Sequence, residues 1–410
     1  MSRPDPMLLP DPEPRERVYP VISVDDHLHE PPDLFDGRLP SHLQERAPAR
    51  IEDASGAQWW SYEGNLLAES GLENVAGRDP SSWTRAPLRD DEMRRGSWDI
   101  NARVADMDID GVYAHTCFPS GVFGFAGRVL SMSKDRELGL ATLRAYNDWH
   151  LEYLAGTHPG RIIPMQLVWV TDPAVAAADI RRNAERGFKA ATLPDLPQHL
   201  GLPRIGDPYW YPVLEALEET QTVVCIHLGA AGWVLDPLPN RERNLDPKLD
   251  YTLAALFPAS SMVTGIEWTF SGVPARFPNL KVALSEGGIG WVPMAVDRLD
   301  YMMDHSGAQL HSEWKSDLSP SETLLHHFYF CMIDNPSNLD AYKMIGSDHI
   351  MVETDYPHSD STWPDTQKLL SDRFSALPGD DAINMAYRTA SRLFRHPVPE
   401  SWLATTAVHG

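Results

Sequence analysis

The sequence contains little cysteine, and no two cysteines have the spacing of a metal or redox motif. Only three occur among 410 residues, Cys117, Cys225 and Cys331, and each lies inside or at the end of an apolar run. This argues against a disulfide framework. We expect three reduced thiols buried in the core of a cytoplasmic protein.

Long apolar runs and positive charge are also scarce. No stretch of about 18 apolar residues is present, so no membrane span is predicted. The 35 Lys and Arg against 58 Asp and Glu give a formal charge of -23. Such a surface repels nucleic acid and anionic lipid, so neither is an expected partner, and an anionic substrate would need a local positive site. Residues 1–17 lack the apolar core of a signal peptide and are predicted to form a flexible tail.

Eight short apolar runs alternate with helical stretches. The runs cover residues 21–24, 111–116, 161–168, 189–194, 222–227, 281–286, 328–331 and 350–355, with helical spacing at 172–186, 209–220 and 382–394. Parallel strands buried on both faces give unbroken apolar runs, so the pattern predicts an α/β fold, a (β/α)8 TIM barrel. Such barrels use roughly 250 to 400 residues as one domain. We assign residues 18–396 to it, followed by a tail at 397–410.

Residues 31–100 interrupt the pattern after the first run. They are rich in Pro, Gly, Trp and charge and have no sustained period, so we expect a partly helical insertion over one mouth of the barrel. Its tryptophans are either the core of the insertion or the wall of an apolar substrate pocket: Trp59, Trp60, Trp83 and Trp98. Trp233, which follows the fifth run, is the better candidate for substrate binding.

The first run ends in residue types that bind metals. Asp25, His27 and His29 alternate along it, and side chains two apart on a strand point the same way. They can therefore face one point. We expect one of Asp25 and His29 to reach an ion, and Glu30 to lie behind the ligands and orient one of them.

Other runs end in similar residues. His227, Glu286 and Asp355 close the fifth, sixth and eighth runs, and chemistry in this fold lies where strands end. The alternatives are packing roles for the histidines and a helix cap for Asp355. The predicted ligand set is His27, His227, Asp355 and either Asp25 or His29. It suits one divalent ion, zinc first and manganese as the alternative, with a position left open for water or substrate.

These residues resemble the amidohydrolase superfamily, in the branch that includes aminocarboxymuconate-semialdehyde decarboxylase and gamma-resorcylate decarboxylase. The resemblance runs from about residue 21 to residue 394. It rests on D-x-H-x-H at residues 25–29, on His227, and on T-D-Y-P at residues 354–357. It implies a barrel enzyme with one metal ion that assembles as a homodimer or a higher homo-oligomer.

One motif departs from that family. Its decarboxylases carry an acid-base histidine in H-x-G-x-G-x-P, whereas residues 285–293 here are S-E-G-G-I-G-W-V-P and place Glu286 at that position. A carboxylate transfers protons when its surroundings raise its pKa, but it is never a cationic acid. This favours hydrolysis over decarboxylation. His358 is a candidate replacement acid, unless it faces solvent in its loop.

Arg298 lies five residues after Pro293. The resemblance implies that it reaches a neighbouring subunit and binds the substrate carboxylate, for which its guanidinium is suited. The alternative is a solvated helix face.

The sequence thus predicts a metal-dependent enzyme that hydrolyses an amide, ester or related bond of a small molecule by metal-activated water. The alternative function is non-oxidative decarboxylation of an aromatic or enoic acid at the same metal site. A third, from another class, is a non-catalytic barrel whose bound metal has no open position.

Overall fold

The computed structural model describes residues 8–232, 252, 254–332 and 336–408. Its strands, in chain order, are β1 (Val21–Ser23), β2 (Ala49–Glu52), β3 (Gln58–Tyr62), β4 (Asn65–Leu67), β5 (Val112–His115), β6 (Met165–Leu167), β7 (Ala190–Thr192), β8 (Val223–His227), β9 (Val282–Ser285), β10 (Phe328–Met332) and β11 (Ile350–Val352). Strands β2 to β4 form a small antiparallel sheet, and the other described strands are parallel.

The parallel strands close into a barrel. Strands β6 to β11 pair in chain order and β1 pairs with β5. The Val24 N–H donates to the Val352 carbonyl at 3.1 Å, which joins β1 to β11, and the Ile163 N–H donates to the His115 carbonyl at 2.8 Å, which joins β5 to the chain entering β6. The predicted TIM barrel is confirmed.

Apolar residues fill the barrel. Its interior cluster includes Val24, Met165, Cys225, Ala283 and Met351. All three cysteines are buried and unpaired, as expected. Because this interior is dry and packed, only the open end of the barrel offers room for chemistry.

Helices wrap the outside. The α-helices are Ile100–Asp110, Arg128–Ser131, Arg136–Trp149, Pro173–Arg186, Tyr211–Glu219, Phe257–Phe270, Val273–Arg276, Val292–His305, Ala308–Glu313, Pro320–His327, Tyr342–Ile345, Thr366–Phe374, Gly379–Ile383, Thr389–Leu393 and Glu400–Leu403, with π-helical turns at His150–Ala155 and Asn384–Arg388. Short 3-10 turns lie at Gln44–Arg46, Gly71–Asn74, Pro80–Ser82, Asp90–Glu92, Arg95–Ser97, Pro197–Leu200, Pro208–Trp210, Leu339–Ala341 and Ser347–His349. None of the described helices combines the length and the apolar character that crossing a membrane requires.

Helix Pro173–Arg186 shows why the sequence forms these elements. The Asp172 carboxylate accepts hydrogen bonds from the Ala174 and Val175 N–H groups, at 3.2 Å each. Ile180 is buried against the barrel, and the helix ends at Gly187, whose φ of 112° is open to glycine. The helix predicted over 172–186 is confirmed.

The insertion differs from the prediction. No α-helix lies between residues 31 and 99, where the chain instead forms the β2–β4 sheet and 3-10 turns. Glu63 and Gly64 both have positive φ, 48° and 77°, and make the two-residue turn of a hairpin between β3 and β4. The aromatic strand Gln58–Tyr62 suits a half-buried sheet surface. The helical part expected of this segment is present only as 3-10 turns.

The described part of the N-terminal segment differs from the expectation of a flexible tail. Residues 8–17 pack on the domain, with the Leu9 N–H donating to the Gly77 carbonyl and the Arg15 N–H to the Ile109 carbonyl, both at 2.8 Å. The Ala407 N–H reaches the Arg17 carbonyl at 2.8 Å, so the two terminal segments contact each other. Backbone hydrogen bonds, which composition does not reveal, hold both segments against the domain.

Trp60 supports the insertion's core. It is fully buried, with its ring centroid 5.9 Å from that of Phe35 and 5.3 Å from that of Phe123, whereas Trp83 is 36% exposed. We predict that Trp60→Ala lowers the free energy of unfolding by about 3–5 kcal/mol and that Trp83→Ala costs about 1 kcal/mol or less. Urea unfolding followed by circular dichroism measures both; equal losses would show that Trp60 is not a core residue.

Candidate metal centre

Four predicted ligands meet at the open end of the barrel. The Nε2 atoms of His27 and His227 lie 3.1 Å apart. Asp25 Oδ1 and Asp355 Oδ1 lie 3.4 Å and 3.6 Å from His27 Nε2. All four side chains are buried. The ends of β8 and β11 and the segment after β1 therefore bring residues up to 330 positions apart to one point.

Both imidazoles present a lone pair to this point. His227 Nδ1 lies 2.6 Å from the Leu228 carbonyl, and His27 Nδ1 lies 3.4 Å from the Pro119 carbonyl. A carbonyl only accepts, so Nδ1 carries the hydrogen and Nε2 of each neutral ring is free to bind a cation. Burial, together with His358 and His227, lowers the pKa of His27 well below its usual value and keeps it neutral.

The two carboxylates are approached by imidazole nitrogens. No conventional hydrogen bond to either oxygen of Asp25 or of Asp355 forms within the described part of the chain, where His27 Nε2 lies near both and His358 Nδ1 lies 2.9 Å from Asp355 Oδ1. Burial, followed by the charges of neighbouring carboxylates, raises the pKa of each well above its ordinary range. Burying such groups is costly unless a cation pairs with them. Two groups of side chains have ligand atoms within 4.8 Å of one another, Asp25 with His27 and His227, and His27 with Asp355 and His358. They share His27, and their imidazoles and carboxylates fit one divalent ion.

His29 is not part of this group. Its Nδ1 pairs with the Glu69 carboxylate, and its Nε2 lies 2.9 Å from Asp90 Oδ1, which also binds Arg50 at 2.5 Å. Burial alone would lower the pKa of His29, but Glu69 and Asp90 raise it to about 9. The geometry thus groups Asp25, and not His29, with the other predicted ligands, and His29 instead connects the barrel to the insertion.

Glu30 supports the predicted ligand His27 through an intervening loop. Its carboxylate accepts from the Ser120 N–H at 3.0 Å, the Ser120 hydroxyl at 2.5 Å and the Tyr146 hydroxyl at 3.2 Å. Ser120 follows Pro119, whose carbonyl faces His27 Nδ1. Glu30 therefore fixes the loop that orients His27, without touching that ring.

The two acid-base candidates flank the centre. Glu286 Oε2 lies 3.1 Å from His227 Nε2, and its side chain is 12% exposed. The ring of His358 stacks on that of His27, with centroids 3.9 Å apart, and its Nδ1 lies 2.9 Å from Asp355 Oδ1. His358 Nε2 is buried and accepts or donates no hydrogen bond among the described residues. Both side chains are within reach of a molecule bound at the centre.

The predicted substrate-binding residues are not brought to the centre. Arg298 lies exposed on helix Val292–His305, with its guanidinium carbon 5.0 Å from the Tyr301 ring centroid. No described contact joins Arg298 to the metal ligands. Trp233 lies outside the described residues.

Several residues that support the centre were missed. Asp26 accepts from the Thr354 hydroxyl at 2.6 Å and the Tyr356 N–H at 2.8 Å, which fixes the loop around Asp355. Asp195 accepts from the Gly229 and Ala231 N–H groups at 3.1 Å and 2.7 Å and fixes the loop after His227. Their position at the end of an apolar run was the available signal, since loops at that face carry the site.

An aromatic ring lies beside the imidazoles. The Phe125 ring centroid is 4.1 Å from that of His227 and 4.9 Å from that of His27, and its side chain is partly exposed. A flat apolar face next to cation ligands and proton-transfer groups suits a planar organic molecule with an anionic end.

The sequence and the fold are similar to known proteins. The family model described as amidohydrolase matches residues 24–396. No curated protein is significantly similar in sequence.

Three solved structures illustrate the likeness of fold. A Mycobacterium avium subsp. paratuberculosis K-10 amidohydrolase has 22% identity and a TM-score of 0.70, covering 92% of this chain and 99% of its own. A Sphingomonas paucimobilis 5-carboxyvanillate decarboxylase has 21% identity and a TM-score of 0.63, covering 92% and 100%. A Novosphingobium aromaticivorans DSM 12444 5-carboxyvanillate decarboxylase, crystallised with manganese and a nitrobenzoic acid, has 17% identity and a TM-score of 0.62, covering 96% and 100%.

The ligand assignment is tested by metal content. We predict about one divalent ion per chain in protein purified without chelator, and loss of most of it in His227→Ala, because three ligands bind far more weakly than four. His29→Gln should keep the ion, since His29 lies in a separate ion-pair network. Elemental analysis of the folded fractions decides; loss of the ion in His29→Gln would return that residue to the ligand set.

The ion pairs of His29 with Glu69 and Asp90 give a second test, in which stability is measured as a function of pH. The folded pKa of about 9 is raised from 6.5, so the stabilisation is fully present below pH 6.5 and is lost as pH rises through about 9. For this buried group it amounts to roughly 3 kcal/mol. We predict that His29→Gln lowers the melting temperature strongly at pH 6 and little at pH 10. A difference that does not depend on pH would contradict the charged state of His29.

Proposed function

The chain belongs to the amidohydrolase family and is a metal-dependent enzyme, and from this premise we propose that it decarboxylates an aromatic or related unsaturated carboxylic acid without oxidation. What carries the proposal is the similarity, over nine-tenths or more of the chain, to structures of enzymes whose names state that reaction. Hydrolysis, which the sequence favoured, has weaker support from these comparisons. Membership of an enzyme family also argues against the non-catalytic barrel.

The residues at the centre suit this reaction. Asp25, His27, His227 and Asp355 would bind the ion. When bound, a divalent ion polarises the oxygen atoms that coordinate it and stabilises negative charge that develops on them. The partly exposed face of Phe125 offers a surface on which the ring of the acid can stack.

The chain's own residues handle the proton. Decarboxylation places one proton on the carbon that loses its carboxylate, and the electrons of the broken C–C bond return to the ring as carbon dioxide leaves. Among the described residues, His358 and Glu286 can deliver this proton, because the His358 ring lies 3.9 Å from that of His27 and Glu286 Oε2 lies 3.1 Å from His227 Nε2. A buried Nε2 without a partner makes His358 the better donor. Glu286 then holds or relays the proton beside His227.

Hydrolysis remains the second candidate because of Glu286. A carboxylate 3.1 Å from a metal-binding imidazole is the type of group that accepts a proton from attacking water. The substrate would then be an amide, an ester or a related bond of a small organic molecule.

The ion and the assembly complete the proposal. Two carboxylates with two imidazoles favour a harder ion than an all-imidazole site, and a structurally similar decarboxylase was crystallised with manganese, so we place manganese beside zinc as the physiological ion.

We also propose a homodimer. Met294, Tyr301 and Met302 are 58%, 50% and 38% exposed around Arg298, and a second copy would cover them.

Product analysis in heavy water tests the reaction. We predict that manganese-loaded protein in D2O releases carbon dioxide from 5-carboxyvanillate or a simpler carboxylated phenol, and that the product carries one deuterium at the carbon that lost its carboxylate. His227→Ala is the control without an assembled centre. Mass spectrometry and carbon dioxide release are the readouts.

Other outcomes separate the candidates. If the protein hydrolyses aryl esters or amides and releases no carbon dioxide from any acid, hydrolysis would replace decarboxylation as its function.

Glu286→Gln should keep the ion and lose at least about a hundredfold in kcat, the usual contribution of a proton-transfer group. Full activity of Glu286→Gln would remove that residue from the mechanism.

A further inference from the structure

Glu286 occupies an unusual backbone conformation. Its φ is 59°, in the left-handed region that residues with a side chain rarely adopt. It directly follows β9, so this conformation decides where the chain turns at the open end of the barrel. It also sets the direction in which the Glu286 carboxylate leaves the backbone, and that carboxylate lies 3.1 Å from His227 Nε2.

One side chain holds this backbone from across the barrel. The Glu286 N–H donates to Glu353 Oε2 at 2.9 Å. Glu353 follows β11, and β10 lies between β9 and β11 in the sheet, so the bond spans an intervening strand. Glu353 is 2% exposed, and a buried backbone N–H requires an acceptor.

The backbone of Glu353 is itself fixed. Its N–H donates to the Met332 carbonyl of β10 at 3.0 Å. Two residues later, the Asp355 N–H donates to the Asp25 carbonyl at 2.9 Å. The segment that carries Glu353 is therefore attached on both sides to the barrel, and its carboxylate acts as a rigid acceptor for Glu286.

We propose that Glu353 is a positioning residue that holds Glu286 in its left-handed conformation and thereby places the Glu286 carboxylate beside the metal-binding His227. The inference rests on the proposed role of Glu286 in proton transfer. In this role Glu353 does not contact the substrate. What Glu353 supplies is an oxygen that accepts a hydrogen bond, and a neutral amide oxygen can supply the same.

Two substitutions separate this role from a general need for a carboxylate. Glu353→Gln keeps an acceptor oxygen at the same reach, whereas Glu353→Met keeps the volume and removes the acceptor. We expect Glu353→Gln to retain kcat within about threefold and Glu353→Met to lose at least about tenfold, because a displaced catalytic group costs one to two orders of magnitude. Metal content and KM should change little in both.

A double-mutant cycle shows whether Glu353 acts through Glu286. In a Glu286→Gln background, Glu353→Met should cost less than about twofold in kcat, because the group that it positions is already inactive. If the double variant instead loses the product of the two single losses in kcat, the proposal is overturned. An equal loss of kcat in Glu353→Gln and in Glu353→Met would overturn it too.

A readout without substrate keeps the inference independent of the reaction. Crystal structures of the metal-loaded variants should show the Glu286 carboxylate near His227 in Glu353→Gln and displaced in Glu353→Met. An unmoved Glu286 in Glu353→Met would overturn the positioning role whatever the enzyme's reaction is. If Glu286 moves but the wild type decarboxylates no acid, the positioning stands and the proposed function falls.

Discussion

Two buried carboxylates that face two imidazole lone pairs are the constraint on which the rest of the structure depends. Around Asp25 and Asp355 the described chain supplies imidazole nitrogens but no conventional hydrogen bond, and the Nε2 atoms of His27 and His227 approach to 3.1 Å. A folded protein tolerates such carboxyl groups when a cation pairs with them or when they take up a proton. A divalent ion between these side chains would meet the first condition and would link the fold of this barrel end to the chemistry.

The support around this centre is made of backbone and buried polar contacts rather than further metal ligands. Asp26 fixes the loop around Asp355, Asp195 fixes the loop after His227, and Glu353 holds the backbone of Glu286. Each of these contacts joins the ends of two barrel strands or the loops that follow them. Hydrogen bonds between strand ends and the loops after them thus fix the geometry of the site, so that disrupting a strand end would reduce both stability and turnover.

The barrel and most of the centre were predictable from the sequence, because buried parallel strands give unbroken apolar runs and His227 and Asp355 end such runs. The position of His29 was not, because β1 ends at Ser23 and the alternation of a strand no longer applies six residues later. Its partners Glu69 and Asp90 come from the insertion, and no local pattern connects them to it. Glu353 lies just beyond the end of β11, and only the fold shows that its carboxylate accepts a hydrogen bond from the Glu286 N–H.

Anomalous diffraction from a crystal grown with manganese tests the central claim most directly. We expect a single strong peak within bonding distance of Nε2 of His27 and His227 and of the carboxylates of Asp25 and Asp355. A peak at the His29, Glu69 and Asp90 group, or no peak among the four predicted ligands in fully folded protein, would contradict it.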